Sequence, residues 1–299
     1  MKRNPFLTVV GTAVALGVLF VLILALISFL SGGKGRSASL PGVGSDKVAL
    51  VKIEGLLVSS ENIVEELHDY TEDGSIKAIV LRIDSPGGGV VPAQEIYNAV
   101  KNARKEGKKV IVSMGSVAAS GGYYIAAGAD KIVANPGTLT GSIGVIMEFA
   151  NVEKLLEKIG IKGMVVKAGQ FKDVGSPFRD MTDQEKKLLQ GVIDDVHAQF
   201  IGAVANGRNI PVDDVKAIAD GRIFTGRQAL QLKLVDKMGD LTESIQLAGA
   251  LSGIKGKPRI VEKRKKIPFL DYLKEESAAW IGDVITSGLS RNTVSLQYR

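Results

Sequence analysis

The sequence predicts an α/β protein, a mainly parallel sheet with surrounding helices, preceded by one transmembrane helix. Three observations predict it. Strand and helix patterns alternate from Lys47 onward, as they do where helices pack around a parallel sheet. Two buried strands lead into glycine-rich turns, "DSPGGG" (Asp84–Gly89) and "SVAASGG" (Ser116–Gly122). Near the N-terminus, Phe6 to Leu30 runs 25 residues without a charge.

The elements follow in chain order. A bilayer core takes about 20 apolar residues as helix, while the apolar region of a cleavable signal is about 7–15. Phe6–Leu30 therefore reads as an uncleaved signal anchor. Lys2, Arg3 and the α-amino group outweigh Lys34 and Arg36 on the other flank. That bias puts the N-terminus in the cytoplasm and the rest outside. The next stretch, "SGGKGRSASLPGVGS", has the composition of a flexible tether.

The folded part begins with a strand, "KVALVKIEG", then a helix over Ser60–Tyr70 with Ile63, Val64 and Leu67 on one face. Ile76–Asp84 is a buried, β-branched strand, Pro92–Glu106 a helix and "KKVIVSMG" the next strand. After the second glycine motif come a strand in "DKIVANP" and a glycine turn plus strand in "TLTGSIGVIMEF". A helix over Asn151–Lys158 precedes a strand in "KGMVV", which runs into a loop that Pro177 keeps from becoming helix. Thr182–Ala205 is a long amphipathic helix whose "TDQE" supplies the N-cap. Shorter helices follow at Val212–Ala219, Arg227–Leu232 and Leu241–Leu251. The expected divisions are 1–30 (cytoplasmic end and anchor), 31–45 (tether), 46–257 (folded domain) and 258–299 (tail). An amphipathic helix pattern spans Pro268–Ile285 in that tail.

Composition removes several functions. The net charge is +6, but Lys and Arg are scattered and no nucleic-acid signature accompanies them. The chain has no cysteine, which excludes disulfides, thiolate metal sites and a cysteine nucleophile together. No cofactor or metal is expected.

The chemistry centres on Ser120. A serine before Gly-Gly at a helix start is usually a cap. Its glycine neighbours also permit close backbone approach and leave the following N–H groups open, as an oxyanion site requires. The second glycine turn, Asp84–Gly89, can aim further N–H groups into a cleft at the strand ends. A serine nucleophile needs a base. The chain has two histidines. His68 sits on an early helix and His197 within the long one, both reading as surface or packing residues. Lysine is the remaining base class. Among the lysines, Lys172 has the most suggestive surroundings, between Phe171 and a Gly-Ser-Pro turn just past a strand. An ordinary lysine, with a pKa near 10.4, is under ~0.1% neutral at pH 7.4. A lysine base therefore needs burial that brings it to about 7–8.

"SVAASGGYYIAAGADKIVANPGTLTGSIGV", "DSPGGG", "KAGQFKDVGSPFRDMT" and "ADGRIFTGRQALQLKLVDKMGDL" together resemble the signal peptide peptidase A (protease IV) family of membrane-anchored serine peptidases. The resemblance spans about Val48 to Leu251, in order and with consistent spacing. It implies a ClpP/crotonase-like fold and a Ser–Lys dyad: Ser120 as nucleophile, Lys172 as general base, and Ser142 hydrogen-bonding the lysine amine. Gly88 and Gly121 match the backbone donors of the oxyanion hole. The implied substrates are residual signal peptides, apolar and bound extended. The chain matches the short, single-unit form, which implies a homo-oligomeric ring with active sites shared between subunits. The implied location is a bacterial cytoplasmic membrane, single-pass, with the catalytic domain on the extracytoplasmic side. Two other readings fit the same residues: a crotonase-type acyl-CoA enzyme, and a non-catalytic membrane scaffold on the same fold.

Overall fold

In the computed structural model, residues 46–263 are described. Strands β1 (Lys47–Glu54) and β2 (Ile76–Ser85) run parallel, with Val48 opposite Ala78 and Ile53 opposite Ile83. Both are near-continuous aliphatic runs because both faces of a parallel sheet are covered. Side chains alternate by face. Val48, Leu50, Ala78 and Val80 belong to one cluster; Ala49, Val51, Ile79, Leu81 and Ile83 belong to the other, larger one.

Helices α1 (Glu61–Glu72), α2 (Val90–Lys105) and α3 (Gly121–Ala127) cover the larger cluster. On α1 the contact comes from Ile63, Leu67 and Tyr70, spaced four and three residues apart. Strand β3 (Lys109–Ala119) pairs with β2 and serves two strands on its other edge. Its first half takes β4 (Lys131–Ala134) and its last three residues take β5 (Leu139–Gly141). Between these halves β3 bulges. Ile83 faces Met114 and Ser85 faces Ala118, so β3 takes four steps where β2 takes two.

Beyond β5 come α4 (Glu153–Lys158), α5 (Asp183–Arg208) and α6 (Val212–Lys216). Then follow β6 (Ile223–Thr225), α7 (Gly226–Gln231), β7 (Lys237–Met238), α8 (Leu241–Leu251) and β8 (Arg259–Val261). The sheet order is β6-β5-β3-β2-β1-β8, with β4 on β3 and β7 on β4. Every pairing is parallel except β5 with β6. Ala248 of α8 joins the smaller cluster on the opposite face. Helix α5 begins with the expected capping box, Thr182 with Glu185, and ends at Asn209 in the left-handed region (φ 53°). Its last turns, Phe200 to Ala205, are buried, whereas most of its first half faces solvent.

Three sequence expectations are corrected. The strand read in "KGMVV" is absent: Lys162–Val166 forms no ladder and lies exposed. Among the described residues its β-branched side chains have no neighbouring strand to pair with, and β-propensity acts largely through such neighbours. The strand placed after the glycine turn of "TLTGSIGVIMEF" lies before it instead, as β5. Gly141, at φ 79°, and Ser142, at φ 51°, turn the chain out of the sheet at that point. The sheet also extends beyond the Lys257 boundary, because β8 pairs with β1 at the edge. A strand of three residues is too short to show a period. Segments 1–30 and 31–45 and the tail helix pattern over 268–285 lie outside the described residues. Among the described residues no helix is long and apolar enough to cross a membrane.

Candidate active site

The bulge in β3 sets up the site. Gly115 lies where a side chain would run into the Asp84 carboxyl group, 2.6 Å from its Cγ. Asp84 Oδ1 accepts the Val117 N–H at 3.0 Å, across the interrupted ladder. Thr138 Oγ1 donates to the Gly115 carbonyl at 2.8 Å and Thr140 Oγ1 to the Ala118 carbonyl at 2.6 Å. The end of β3 is thereby held from both neighbouring strands.

Ser120 follows at once, between β3 and α3. Its backbone has φ 52° and ψ −120°, a region that costs a non-glycine residue roughly 1–3 kcal/mol. Strain of this kind at a sharp strand-to-helix turn lifts the nucleophilic serine out of the sheet in α/β-hydrolases. The Ser120 N–H donates to the Gly141 carbonyl at 2.9 Å, so the turn is pinned by β5. Its hydroxyl makes no capping bond to α3. The structure thus removes the usual reason for a serine here.

The two glycine turns meet at this point. A Cβ on Gly87 would lie 2.7 Å from the Gly121 nitrogen and 2.8 Å from Ser120 Cβ. Gly88 has φ 152°, and a Cβ there would strike the Leu57 carbonyl. Leu57 laces the turn from outside: its N–H donates to the Gly87 carbonyl (2.9 Å) and its carbonyl accepts the Gly89 N–H (2.8 Å). The N–H groups of Gly88 and Gly121 have no acceptor among the described residues. Two free donors beside an uncapped serine are what an oxyanion cradle needs.

Ser142 directly follows Gly141, whose carbonyl binds Ser120, and is itself half-buried. Its N–H donates to the Arg222 carbonyl at 2.9 Å. Lys172 is different. It sits in a turn after Gly169 with its side chain exposed, and no hydrogen bond joins it to Ser120 or Ser142 among the described residues. The partly desolvated setting expected from the sequence is therefore not supplied by the described residues of one chain. The stretch around it, residues 146–178, packs little and exposes Ile146, Phe149, Ile159, Met164 and Val166.

The turn itself is nonetheless held. Asp173 accepts from Lys167 Nζ and from Arg179 Nε, the latter at 2.9 Å. Arg179 also donates to both oxygens of Glu185, with Nη1 2.9 Å from Oε2. Glu185 Oε2 accepts the Thr182 N–H at 2.9 Å as well. The Arg179 bonds, then Lys167, hold the Asp173 carboxyl well below the usual carboxylate range. Arg179, followed by Thr182, lowers Glu185 to about 2. None of these residues was picked out from the sequence as part of a site, although "FKDVGSPFRD" contains Asp173 and Arg179.

The tyrosines and histidines stand aside from the serine. Tyr123 is fully buried and donates to the Leu234 carbonyl at 2.9 Å; burial raises its pKa, so it stays a neutral hydroxyl. Tyr124 packs between Tyr97 and Phe200, with centroids 5.1 and 5.0 Å away. His68 faces Glu72 across one turn of α1, 3.2 Å apart. His197 Nε2 is buried on α5 with no hydrogen-bond partner among the described residues.

Comparison with known proteins adds an independent line. A family model described as Peptidase family S49 matches residues 102–255, and one described as Clp protease matches residues 57–138. A protein of Enterococcus faecium, provisionally named signal peptide peptidase SppA, is 32% identical over 267 residues, covering 84% of this chain and 76% of that one. Protease 4 of Haemophilus influenzae is 34% identical over 215 residues, 69% of this chain but 35% of its own length. The chloroplastic serine protease SPPA of Arabidopsis thaliana is 35% identical over 224 residues, 73% and 33% respectively.

Proposed function

Since the chain belongs to peptidase family S49 and is a serine protease with an α/β, ClpP-like fold, we propose that it is a membrane-anchored endopeptidase that degrades residual signal peptides with a Ser120–Lys172 dyad. Family membership sets aside the acyl-CoA reading. The observation that carries the proposal is the strained, uncapped Ser120 beside the free Gly88 and Gly121 donors.

The chemistry follows from those positions. Ser120 Oγ attacks the peptide carbonyl carbon as the neutral Lys172 amine takes its proton. The N–H groups of Gly88 and Gly121 bind the carbonyl oxygen as it becomes an anion, a contact of greater value in the transition state than in the ground state. The lysine then gives its proton to the departing amine, leaving an acyl-serine. Water, deprotonated by the same amine, releases the acid and regenerates the serine. Ser142 Oγ orients the amine between these transfers.

The base comes from a neighbouring copy in this proposal. Among the described residues Lys172 lacks a desolvating partner, and the surrounding stretch exposes large apolar side chains. A second copy packed there supplies burial for both. Exposed Leu56, Val58 and Val91 near the Gly88 turn fit an apolar substrate held extended. The anchor, Phe6–Leu30, keeps the enzyme at the bilayer where such peptides are left, with residues 46–257 on the extracytoplasmic side.

A fluorophosphonate probe tests the central assignment on the full chain in detergent. Stoichiometric labelling of Ser120, mapped by peptide mass spectrometry and lost in Ser120→Ala, is expected. Labelling of a different serine, with hydrolysis intact in Ser120→Ala, overturns it.

A further inference from the structure

The turn that carries Lys172 has only short backbone turn bonds of its own, from Lys172, Val174 and Ser176. Lys162–Phe171 is exposed throughout, and among the described residues neither a sheet ladder nor a buried apolar side chain anchors it. Short turn hydrogen bonds, such as the Lys172 N–H to the Gly169 carbonyl at 3.2 Å, and the Gln170 Nε2–Gln184 Oε1 contact at 3.0 Å help to shape it, but the most extensive link to the start of α5 is charge. Lys167 reaches forward to Asp173 across the turn, and Arg179 joins Asp173 on one edge to Glu185 on the other. The side chains of Asp173 and Glu185 are only 12% and 4% exposed, against 29% for Arg179. Glu185 is fixed in turn by the Thr182 N–H and hydroxyl at the start of α5, at 2.9 and 3.0 Å. A continuous path of charge-assisted bonds thus runs from the residue after Lys172 to the first turn of a 26-residue helix. Forked, two-ended contacts of this kind fix direction as well as distance.

From this geometry we infer that Arg179 is a positioning residue for catalysis: it holds the Lys172 turn against the start of α5, so that the amine meets Ser120. The inference rests on Lys172 being the general base. A purely structural role for Arg179 has a different signature. An Arg–Glu bond in the first turn of a helix stabilises that helix, and its loss lowers the folded fraction without changing turnover per folded enzyme. A positioning role lowers turnover itself, because a misplacement near 1 Å costs about a hundredfold in rate. Lysine in place of Arg179 keeps the charge but loses the fork, so it is expected to recover only part of the rate.

The test uses the full chain in detergent micelles and a fluorogenic apolar peptide, with kcat and KM normalised to enzyme that binds a substrate-like peptide aldehyde. Arg179→Gln is expected to lose about 10- to 100-fold in kcat, with KM within about threefold, and Arg179→Lys to fall between it and wild type. A kcat for Arg179→Gln within twofold of wild type, while Lys172→Ala is inactive, overturns the inference and leaves the base assignment standing. An active Lys172→Ala instead overturns the base assignment and, with it, the inference. If Arg179→Gln does not fold, Asp173→Asn is read by the same limits, since it leaves the Arg179–Glu185 fork in place and loosens only the lysine side.

Discussion

Gly87 and Ser120 are in contact: a methyl group on Gly87 would come within 2.8 Å of Ser120 Cβ and 2.7 Å of the Gly121 nitrogen. Two strand ends far apart in sequence are thus pressed together with no room for a side chain. Gly87→Ala is expected to push the turns apart and displace the Gly121 donor. Its backbone, at φ 104°, also resists any side chain. The cost in stability is about 1–3 kcal/mol, and the loss in kcat about a hundredfold or more. Thermal melts and turnover on the same preparation separate the two effects. An alanine variant with wild-type turnover contradicts the close approach.

The dyad is tested by elimination. Ser120→Ala and Lys172→Ala should each abolish hydrolysis, while His68→Ala and His197→Ala should keep most of it. His68 is occupied with Glu72 on an exposed helix face. A folded histidine variant without activity refutes the Ser–Lys assignment.

Ser142 separates a turn residue from a catalytic hydroxyl. Its φ of 51° favours glycine, so Ser142→Gly relieves backbone strain as it removes the hydroxyl. If Ser142 orients the lysine amine, both Ser142→Gly and Ser142→Ala lose rate, by about tenfold or more, although the glycine variant is the more stable. A glycine variant as active as wild type leaves Ser142 as a turn residue only.

The glycine turns around Ser120 were legible in the sequence because local chemistry fixes them. Glycines at Gly87, Gly88 and Gly121 are dictated by contacts with Leu57 and Ser120, and they announce themselves as "PGGG" and "SGG". The strands β1 to β4 were legible because both their faces are buried and aliphatic. The surroundings of Lys172 were not. Its turn is held by Asp173, Arg179 and Glu185: on sequence alone the first two look like any solvated surface, and Glu185 reads only as part of the α5 cap. The "KGMVV" stretch misled because Val165 and Val166 are exposed where β-branched residues normally signal a sheet. Nothing in periodicity shows that the Lys172 side chain lies exposed.

The same ion pairs predict an acid transition. Glu185 has an ordinary value of 4.5 and is lowered to about 2 in the folded protein by Arg179. A lowered carboxyl contributes stability that is complete above its unfolded value and lost as pH falls through the folded one. The Lys172 turn should therefore loosen between about pH 4.5 and 2. Pepsin cleavage beside Phe171 and Phe178, scaled to an unfolded substrate at each pH, should accelerate across that range. Glu185→Gln should already be cut readily at pH 4.5 and change little below it. Equal pH profiles for the two proteins remove Glu185 from the latch.

Assembly gives the last prediction. Lys172 is exposed in its own chain and has no bond to Ser120, whereas Ser120 has its glycine donors at hand. A lysine from the next subunit completes the site if copies pack through residues 146–178. Head-to-tail contacts of that kind close into rings when the rotation between neighbours closes. Ser120→Ala and Lys172→Ala chains, each inactive alone, then complement one another. At a one-to-one ratio, about a quarter of the interfaces pair an intact serine with an intact lysine, if subunits mix at random in a closed ring. Activity near a quarter of wild type is therefore expected, rising from zero at either pure end to a maximum at equal proportions. A dyad within one chain gives no activity at any ratio, because every subunit lacks one member. The full-length variants are unfolded and refolded together in detergent so that subunits exchange, and mass spectrometry on intact oligomers verifies the mixing. Mixed oligomers that stay inactive at every ratio place both residues of the dyad in one chain.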